Sequence, residues 1–356
     1  MFEKGVFSKV VDSYRNVLGS KTNSNILGYK FEHKETLPTK NTIKNSGFIR
    51  FQNVAKSFGK HKVLSEINME IKPGKIFGII GINGSGKTTL LKLLVGFYKL
   101  NSGVISLNGK NIRQNLSENL RMFGFATQSD SFYGKLTVAE NIRYFGELYS
   151  LTDEFIDTHM ENLLKLVQLW DAKDVLAENL STGMKRRLDI ACALIHDPSI
   201  LIMDEPTEDL DPNLRIEMLK LIKHINKNGT TIIMTSHLLS EVEAICDNIA
   251  ILNEGKIVAC DSPDNLKKVL KYEEVILRSN PGNYEKLRKK IEKWNEVIGK
   301  SFVVNDALII HTAKGERVLH KLLHVIEGSK EQVIKLDVRK PTLSEVFFKI
   351  IKHGKV

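Results

Sequence analysis

The chain has 356 residues, 42% of them hydrophobic and 26% charged, a size and balance that suit two domains with a tail. No stretch approaches the ~18 apolar residues that span a bilayer, and the N-terminus lacks the continuous apolar segment of a secretory leader. Cys192, Cys246 and Cys260 form no C-x-x-C pair, so they read as small buried hydrophobes of a reducing cytosol, not as a disulfide framework or metal site. The net charge of +10 is uneven. Residues 1–47 carry 8 basic and 4 acidic side chains (+4), residues 48–265 carry 24 and 27 (−3), and residues 266–356 carry 20 and 11 (+9). Basic ends suit an anionic membrane surface, a nucleic acid or a plain solvated surface.

Residues 1–47 form an N-terminal extension, polar and rich in Asn, Lys, Ser and Thr. Within it Phe2, Val6, Val10, Tyr14 and Leu18 recur every four residues as an apolar helical stripe. Such a stripe fits a membrane surface, a partner helix or the chain's own core alike. Residues 21–46 read as a flexible lead-in. From Phe48 the pattern turns to strands. Phe48-Ile49-Arg50-Phe51 and the largely alternating run 64–71 read as an antiparallel pair. Pro73-Gly74 leads into the apolar run Ile76-Phe77-Gly78-Ile79-Ile80, then into Gly81-Ile82-Asn83-Gly84-Ser85-Gly86-Lys87-Thr88-Thr89, where an apolar-periodic helix opens. Residues 104–107 and Asn108-Gly109 read as a further strand and turn. Residues 150–196 read as mainly helical. The apolar, β-branched runs at 200–203 and 230–234 fit buried parallel strands. Runs at 249–252 and 256–259 about Glu254-Gly255 close the sheet.

Residues 266–356 read as a separate basic unit. A strand at 274–277, a helix at 284–294, a hairpin of 302–304 and 308–310 about Asn305-Asp306, a helix at 316–326, a strand at 332–338 and a last helix at 343–352 follow one another. That βαββαβ order plus a helix is ferredoxin-like.

The stretch 76–89 is a P-loop pattern in its strand–loop–helix setting. Gly81, Gly84 and Gly86 let successive backbone N–H groups turn inward on phosphate oxygens, and the helix N-terminus adds partial positive charge there. Lys87 can reach the β- and γ-phosphates, and the Thr88 hydroxyl can ligate Mg²⁺. Ile200-Leu201-Ile202-Met203-Asp204-Glu205 is an apolar strand ending in two acids. Asp204 suits the Mg²⁺ shell, and Glu205 can take a proton from an attacking water or orient it. Ser181, in Leu180-Ser181-Thr182-Gly183-Met184, is a natural helix N-cap whose geometry also offers a hydroxyl and N–H groups to a phosphate.

These three elements, in this order and spacing, resemble the ATPase subunit of an ABC transporter over roughly residues 48–356. The resemblance implies an α/β fold: a P-loop NTPase with a RecA-like core, an antiparallel β subdomain and an α-helical subdomain in residues 48–265. The ferredoxin-like unit in 266–356 follows it. It implies an ATP site built from Phe58, which would stack on adenine, and from Gly81, Asn83, Gly84, Ser85, Gly86, Lys87, Thr88 and Thr89. Ser181 and Gly183 of a second subunit would complete that site. Thr88, Gln128 and Asp204 would hold Mg²⁺, and Glu205, His237, Gln128 and Lys87 would serve catalysis. Gln128 matches the Q-loop, His237 the switch histidine, and Glu208-Asp209-Leu210-Asp211 the D-loop position. Two departures stand out: Thr182 and Met184 where the signature usually has Gly and Gln, and Glu208-Asp209 at the head of the D-loop. Pro341-Thr342-Leu343-Ser344-Glu345-Val346-Phe347-Phe348 and Ser236-His237-Leu238-Leu239-Ser240-Glu241 resemble the exporter branch serving drugs, antibiotics, lipids or polysaccharides.

The expected protein is therefore an ATP-hydrolysing subunit on the cytoplasmic face of a membrane. It would pair head to tail with a second copy and drive a separately encoded transmembrane permease. The alternative is a non-transport ABC ATPase acting on nucleic acid or ribosomes, which the basic ends favour and the single cassette does not.

Overall fold

The computed structural model describes residues 47–128, 131–328 and 331–353. The apolar stripe of residues 2–18 lies outside them. The chain divides into two compact units, one ending at Cys260 and the other beginning at Asp261.

In the first unit, β1 (Ile49–Phe58) pairs antiparallel with β2 (His61–Ile71) and with β4 (Ser102–Leu107). β5 (Lys110–Asn111) returns along β4 around Asn108-Gly109, both at positive φ, as the two-residue turn requires. The alternating residues of β2 bury Ile67, Met69 and Ile71 on one face and expose Glu66, Asn68 and Glu70 on the other.

The second sheet has the order β10-β9-β3-β8-β7-β6. β3 (Ile76–Ile80), β6 (Phe123–Ala126), β7 (Ile200–Met203), β8 (Thr231–Ser236) and β9 (Asn248–Asn253) run parallel to one another. All five residues of β3 and all four of β7 are buried, which is why both are unbroken apolar runs and not alternating ones. β10 (Lys256–Asp261) finishes the sheet through the Glu254-Gly255 turn, again with both residues at positive φ. Four neighbouring parallel strands, β3, β8, β7 and β6, thus end at one sheet edge. Their next residues are Gly81, His237, Asp204 and Thr127. In open parallel sheets that carboxyl edge is where ligands sit.

α1 (Lys87–Leu94) starts from the P-loop and buries Leu90, Leu91, Leu93 and Leu94 against a core shared with both sheets. Each fully buried Leu or Ile there contributes about 1.5–3 kcal/mol. After the short α2 (Leu116–Leu120), three helices pack on one another: α3 (Val138–Leu148), α4 (Asp153–Leu166) and α5 (Thr182–Leu194). Each start is set by a hydroxyl. Thr137 and Glu140 form a reciprocal capping box on α3, Thr152 caps α4, and Ser181 caps α5. α6 (Pro212–Lys227) is capped by Asp211 with Pro212 in its first turn, and α7 (Leu239–Ile245) follows β8.

In the second unit, β11 (Glu273–Asn280), β12 (Phe302–Val304), β13 (Ala307–Thr312) and β14 (Gln332–Arg339) form an antiparallel sheet of order β12-β13-β11-β14. Asn305 and Asp306, both at positive φ, turn β12 into β13. α9 (Glu285–Ile291) and α10 (Gly315–Glu327) contribute Leu287, Ile291, Val318, Leu322 and Ile326 to a core with Val275, Leu277, Leu308 and Ile310. This is the βαββαβ order with its two crossovers. α8 (Pro263–Lys268) packs with the closing helix α11 (Leu343–His353), so 263–265 go with this unit and not with the preceding one.

Candidate active site

The P-loop takes its shape from glycine. A Cβ on Gly81 would stand 2.3 Å from the Leu252 carbonyl oxygen, and Gly86, at φ 107°, forms the N-cap of α1. The first turn of α1 has neither a side-chain cap nor an acidic residue, so its N–H groups and dipole are left to an anion. Ser85 Oγ is buried without a partner at the same place. Lys87, 7% exposed, folds back over the loop: its Nζ donates to the Gly81 carbonyl at 2.9 Å and lies 3.5 Å from Glu205 Oε1. An ammonium with backbone carbonyls and one carboxylate as its neighbours is poised to exchange them for phosphate oxygens.

Asp204 and Glu205 do different work. Asp204, 3% exposed, accepts the Thr88 hydroxyl on Oδ2 (2.8 Å) and the Thr235 hydroxyl on Oδ1 (2.5 Å). Thr235 in turn accepts the Glu205 N–H at 2.9 Å. Thr88 Oγ1 and an Asp204 oxygen side by side make a hard oxygen pair of the kind Mg²⁺ prefers. Glu205, at φ 51°, is held in the left-handed region, which turns its carboxylate toward β8. Its Oε2 accepts both the backbone N–H of His237 (3.1 Å) and the ring Nδ1 (2.8 Å), which assigns the ring proton to Nδ1. Nε2 is the other nitrogen of this half-exposed ring.

Gln128 stands at the end of β6 with its amide on Glu208 Oε2 at 2.5 Å, so the first acid of the unusual D-loop is bonded to the Q-loop side chain. Phe58 ends β1, 42% exposed, with the Tyr98 ring edge-on at 4.9 Å and Lys56 Nζ 4.6 Å from its centroid. It is not a core residue. Asn83, Gly84 and Thr89 lie in or beside the loop, Asn83 and Gly84 exposed. Ser181 caps its own helix by accepting the Met184 N–H, and Gly183 is buried within the first turn. Both belong to α5, whereas P-loop, Asp204, Glu205 and His237 lie on the carboxyl edge of the sheet.

Three supports were not foreseen from sequence. Arg186, 9% exposed, donates to the carbonyls of Thr127 (2.8 Å) and Gln128 (3.1 Å). Asp189, one turn on, accepts the N–H of Ser131 at 2.7 Å. Signature helix and Q-loop are thereby tied together. Glu241 bonds the Thr207 hydroxyl across 34 positions of sequence. The i, i+3 spacing of Arg186 and Asp189 was the available signal, but it reads equally as a surface pair.

Over 304 residues, 85% of this chain and 97% of the other, the sequence is 32% identical to the linearmycin resistance ATP-binding protein LnrL of Bacillus subtilis. The chain belongs to the ATP-binding proteins of ABC transporters. A family model described as ABC transporter matches residues 64–208 of this ABC ATPase. It is also 32% identical to the bacitracin transport ATP-binding protein BcrA of Bacillus licheniformis over 87% of this chain and 99% of that one. To the Nod factor export ATP-binding protein I of Cupriavidus metallidurans it is 36% identical over 62% and 73%. These relatives are named for resistance, antibiotic transport and export, which favours an exporter-type ATPase over one acting on nucleic acid or ribosomes. Among solved structures it resembles cbiO1 of Clostridium perfringens, part of an ABC transporter complex (29% identity, TM-score 0.58, 62% of this chain and 90% of that one). It also resembles the ADP conformation of an ABC transporter cassette (26%, TM-score 0.57, 63% and 94%). As an ABC ATPase of this type, the protein binds and hydrolyses ATP for transport.

Proposed function

We propose that hydrolysis takes place at the carboxyl edge of the parallel sheet, with Glu205 activating water, His237 reading the γ-phosphate and Lys87 neutralising the β- and γ-phosphates. The observation that carries this is the placement of Lys87 and His237 on the two oxygens of one buried carboxylate, Glu205. Thr88, Asp204 and Gln128 would hold Mg²⁺, which when bound neutralises phosphate charge and orients the γ-phosphoryl group. Backbone N–H groups of 84–89 cradle the phosphates, and Phe58 stacks on adenine. Glu205 takes the proton of the attacking water; His237 keeps that carboxylate oriented through Nδ1–H and, when it carries a second proton, donates Nε2–H to the γ-phosphate.

Ser181 and Gly183 complete the site of a second copy, so two subunits close head to tail around two ATP molecules. Their place at the start of α5, a helix other than the one that opens from the P-loop, fits this arrangement. No helix among the described residues is long and apolar enough to cross a membrane. The translocation path belongs to a separate permease, to which this subunit binds on the cytoplasmic face, and the cargo is an exported molecule. Isothermal titration with ATP and Mg²⁺ tests the site. Lys87→Ala should lose most ATP affinity with an unchanged circular dichroism spectrum; full retention of affinity would remove the phosphates from this loop.

A further inference from the structure

Behind the Glu205–His237 pair lies a carboxylate with no part in the chemistry above. Glu241, 6% exposed, is in the first turn of α7. Its Oε2 accepts the Thr207 hydroxyl at 2.5 Å and the Ser236 hydroxyl at 3.3 Å. Thr207 is two residues past Glu205, and Ser236 immediately precedes His237. Ser236 Oγ also accepts the Leu238 N–H at 2.9 Å, closing the turn that carries His237. One oxygen atom therefore ties together the two loops whose side chains meet at Glu205 Oε2. The other oxygen, Oε1, is enclosed without a hydrogen-bond partner. Burying a carboxylate is costly even when it is hydrogen-bonded, and an apolar side chain would fill the same space more cheaply.

We propose that Glu241 is a positioning residue for ATP hydrolysis: it fixes the loop after Glu205 against the loop before His237, so that carboxylate and imidazole keep one mutual geometry. This rests on the roles given above to Glu205 and His237. Glu241 bonds Thr207 and Ser236, and so acts through His237. Displacement of a catalytic group by about 1 Å costs on the order of 100-fold in rate.

The test is a kinetic cycle on the full chain, with single-turnover ATP hydrolysis to reach low rates and ATP affinity measured separately. Glu241→Gln should lower the hydrolysis rate about 10- to 100-fold and leave ATP affinity within about 2-fold. In a His237→Ala background the same change should cost less than about 2-fold, because the partner it positions is gone. Thr207→Val should behave as Glu241→Gln does, while Thr207→Ser, which keeps the hydroxyl, should retain the wild-type rate. That pair decides the matter where Glu241→Gln is poorly folded. Full additivity of Glu241→Gln with His237→Ala, or wild-type hydrolysis in Thr207→Val, would overturn the positioning role alone. If His237→Ala by itself hydrolyses ATP normally, the role of His237 fails and this inference fails with it.

Discussion

Glu205 and His237 are joined by two hydrogen bonds to one oxygen, from the backbone N–H at 3.1 Å and from ring Nδ1 at 2.8 Å. The imidazole is thus oriented by the residue it is to work beside, and its Nε2 is the nitrogen left for the phosphate. Removing the ring should take away orientation and γ-phosphate contact without touching the P-loop. His237→Ala should lower kcat about 100-fold or more, the scale of a positioned acid–base group, with ATP affinity changed little. A loss of affinity with kcat intact would place His237 in binding only.

Phe58 offers a second, separable test. Its ring is held by Lys56 and Tyr98 at the end of β1 and is open to solvent on the remaining side. Stacking of a base on an aromatic contributes about 1–3 kcal/mol. Phe58→Ala should weaken ATP binding by that amount and leave tripolyphosphate binding unchanged, as titration of both ligands would show. Equal ATP affinity in the variant would exclude the ring from base recognition.

The local parts of the site were legible in the sequence, and the parts made by long-range approach were not. A P-loop and a strand ending in Asp204-Glu205 declare themselves because their chemistry needs fixed residues at adjacent positions. The antiparallel pair, the Glu254-Gly255 turn and the βαββαβ order were likewise readable, since alternation and turn residues act over a few positions. The Gln128–Glu208 bond joins positions 80 apart, the Arg186 grip on Gln128 spans 58, and the Glu241–Thr207 bond spans 34. Nothing in periodicity marks those pairs. The boundary after residue 265 falls inside α8, because a Ser262-Pro263 start looks the same whichever core receives Leu266.

His196 sets an acid limit on stability. Its ring stacks on Tyr149 at 3.6 Å, Nε2 donates to the Phe123 carbonyl, and burial pushes its pKa from 6.5 down to about 3. The unfolded chain takes up a proton on this residue below about pH 6.5, and the folded chain does not until about pH 3. Stability from His196 is therefore complete above pH 6.5 and falls by about 1.4 kcal/mol per pH unit through that window. Urea unfolding at pH 7 and pH 5.5 should show about 1 kcal/mol more acid loss in the wild type than in His196→Gln. Identical losses would mean that the ring is protonated in the native state.

The unit beginning at Asp261 has its own core, with Val275, Leu277, Leu308 and Ile310 all fully buried. None of the site residues comes from it. A chain ending at Asp261, the last residue of β10, should bind ATP with wild-type affinity, measured by titration. Failure to obtain a folded, ATP-binding fragment would show that the first unit depends on the second.

Glu205 is assigned to the attacking water and not to nucleotide binding, and Glu205→Gln separates the two. The amide keeps the size of the side chain but cannot accept the proton effectively. Lys87, Thr88, Asp204 and the partner's signature are left intact, and less negative charge faces the γ-phosphate. Size-exclusion chromatography at high protein concentration, with ATP and Mg²⁺ and with released phosphate followed in parallel, reads both properties. The variant should elute as an ATP-dependent dimer and hydrolyse ATP at least about 100-fold more slowly than the wild type. Near-normal phosphate release from Glu205→Gln would contradict the account and move the activation of water to another group.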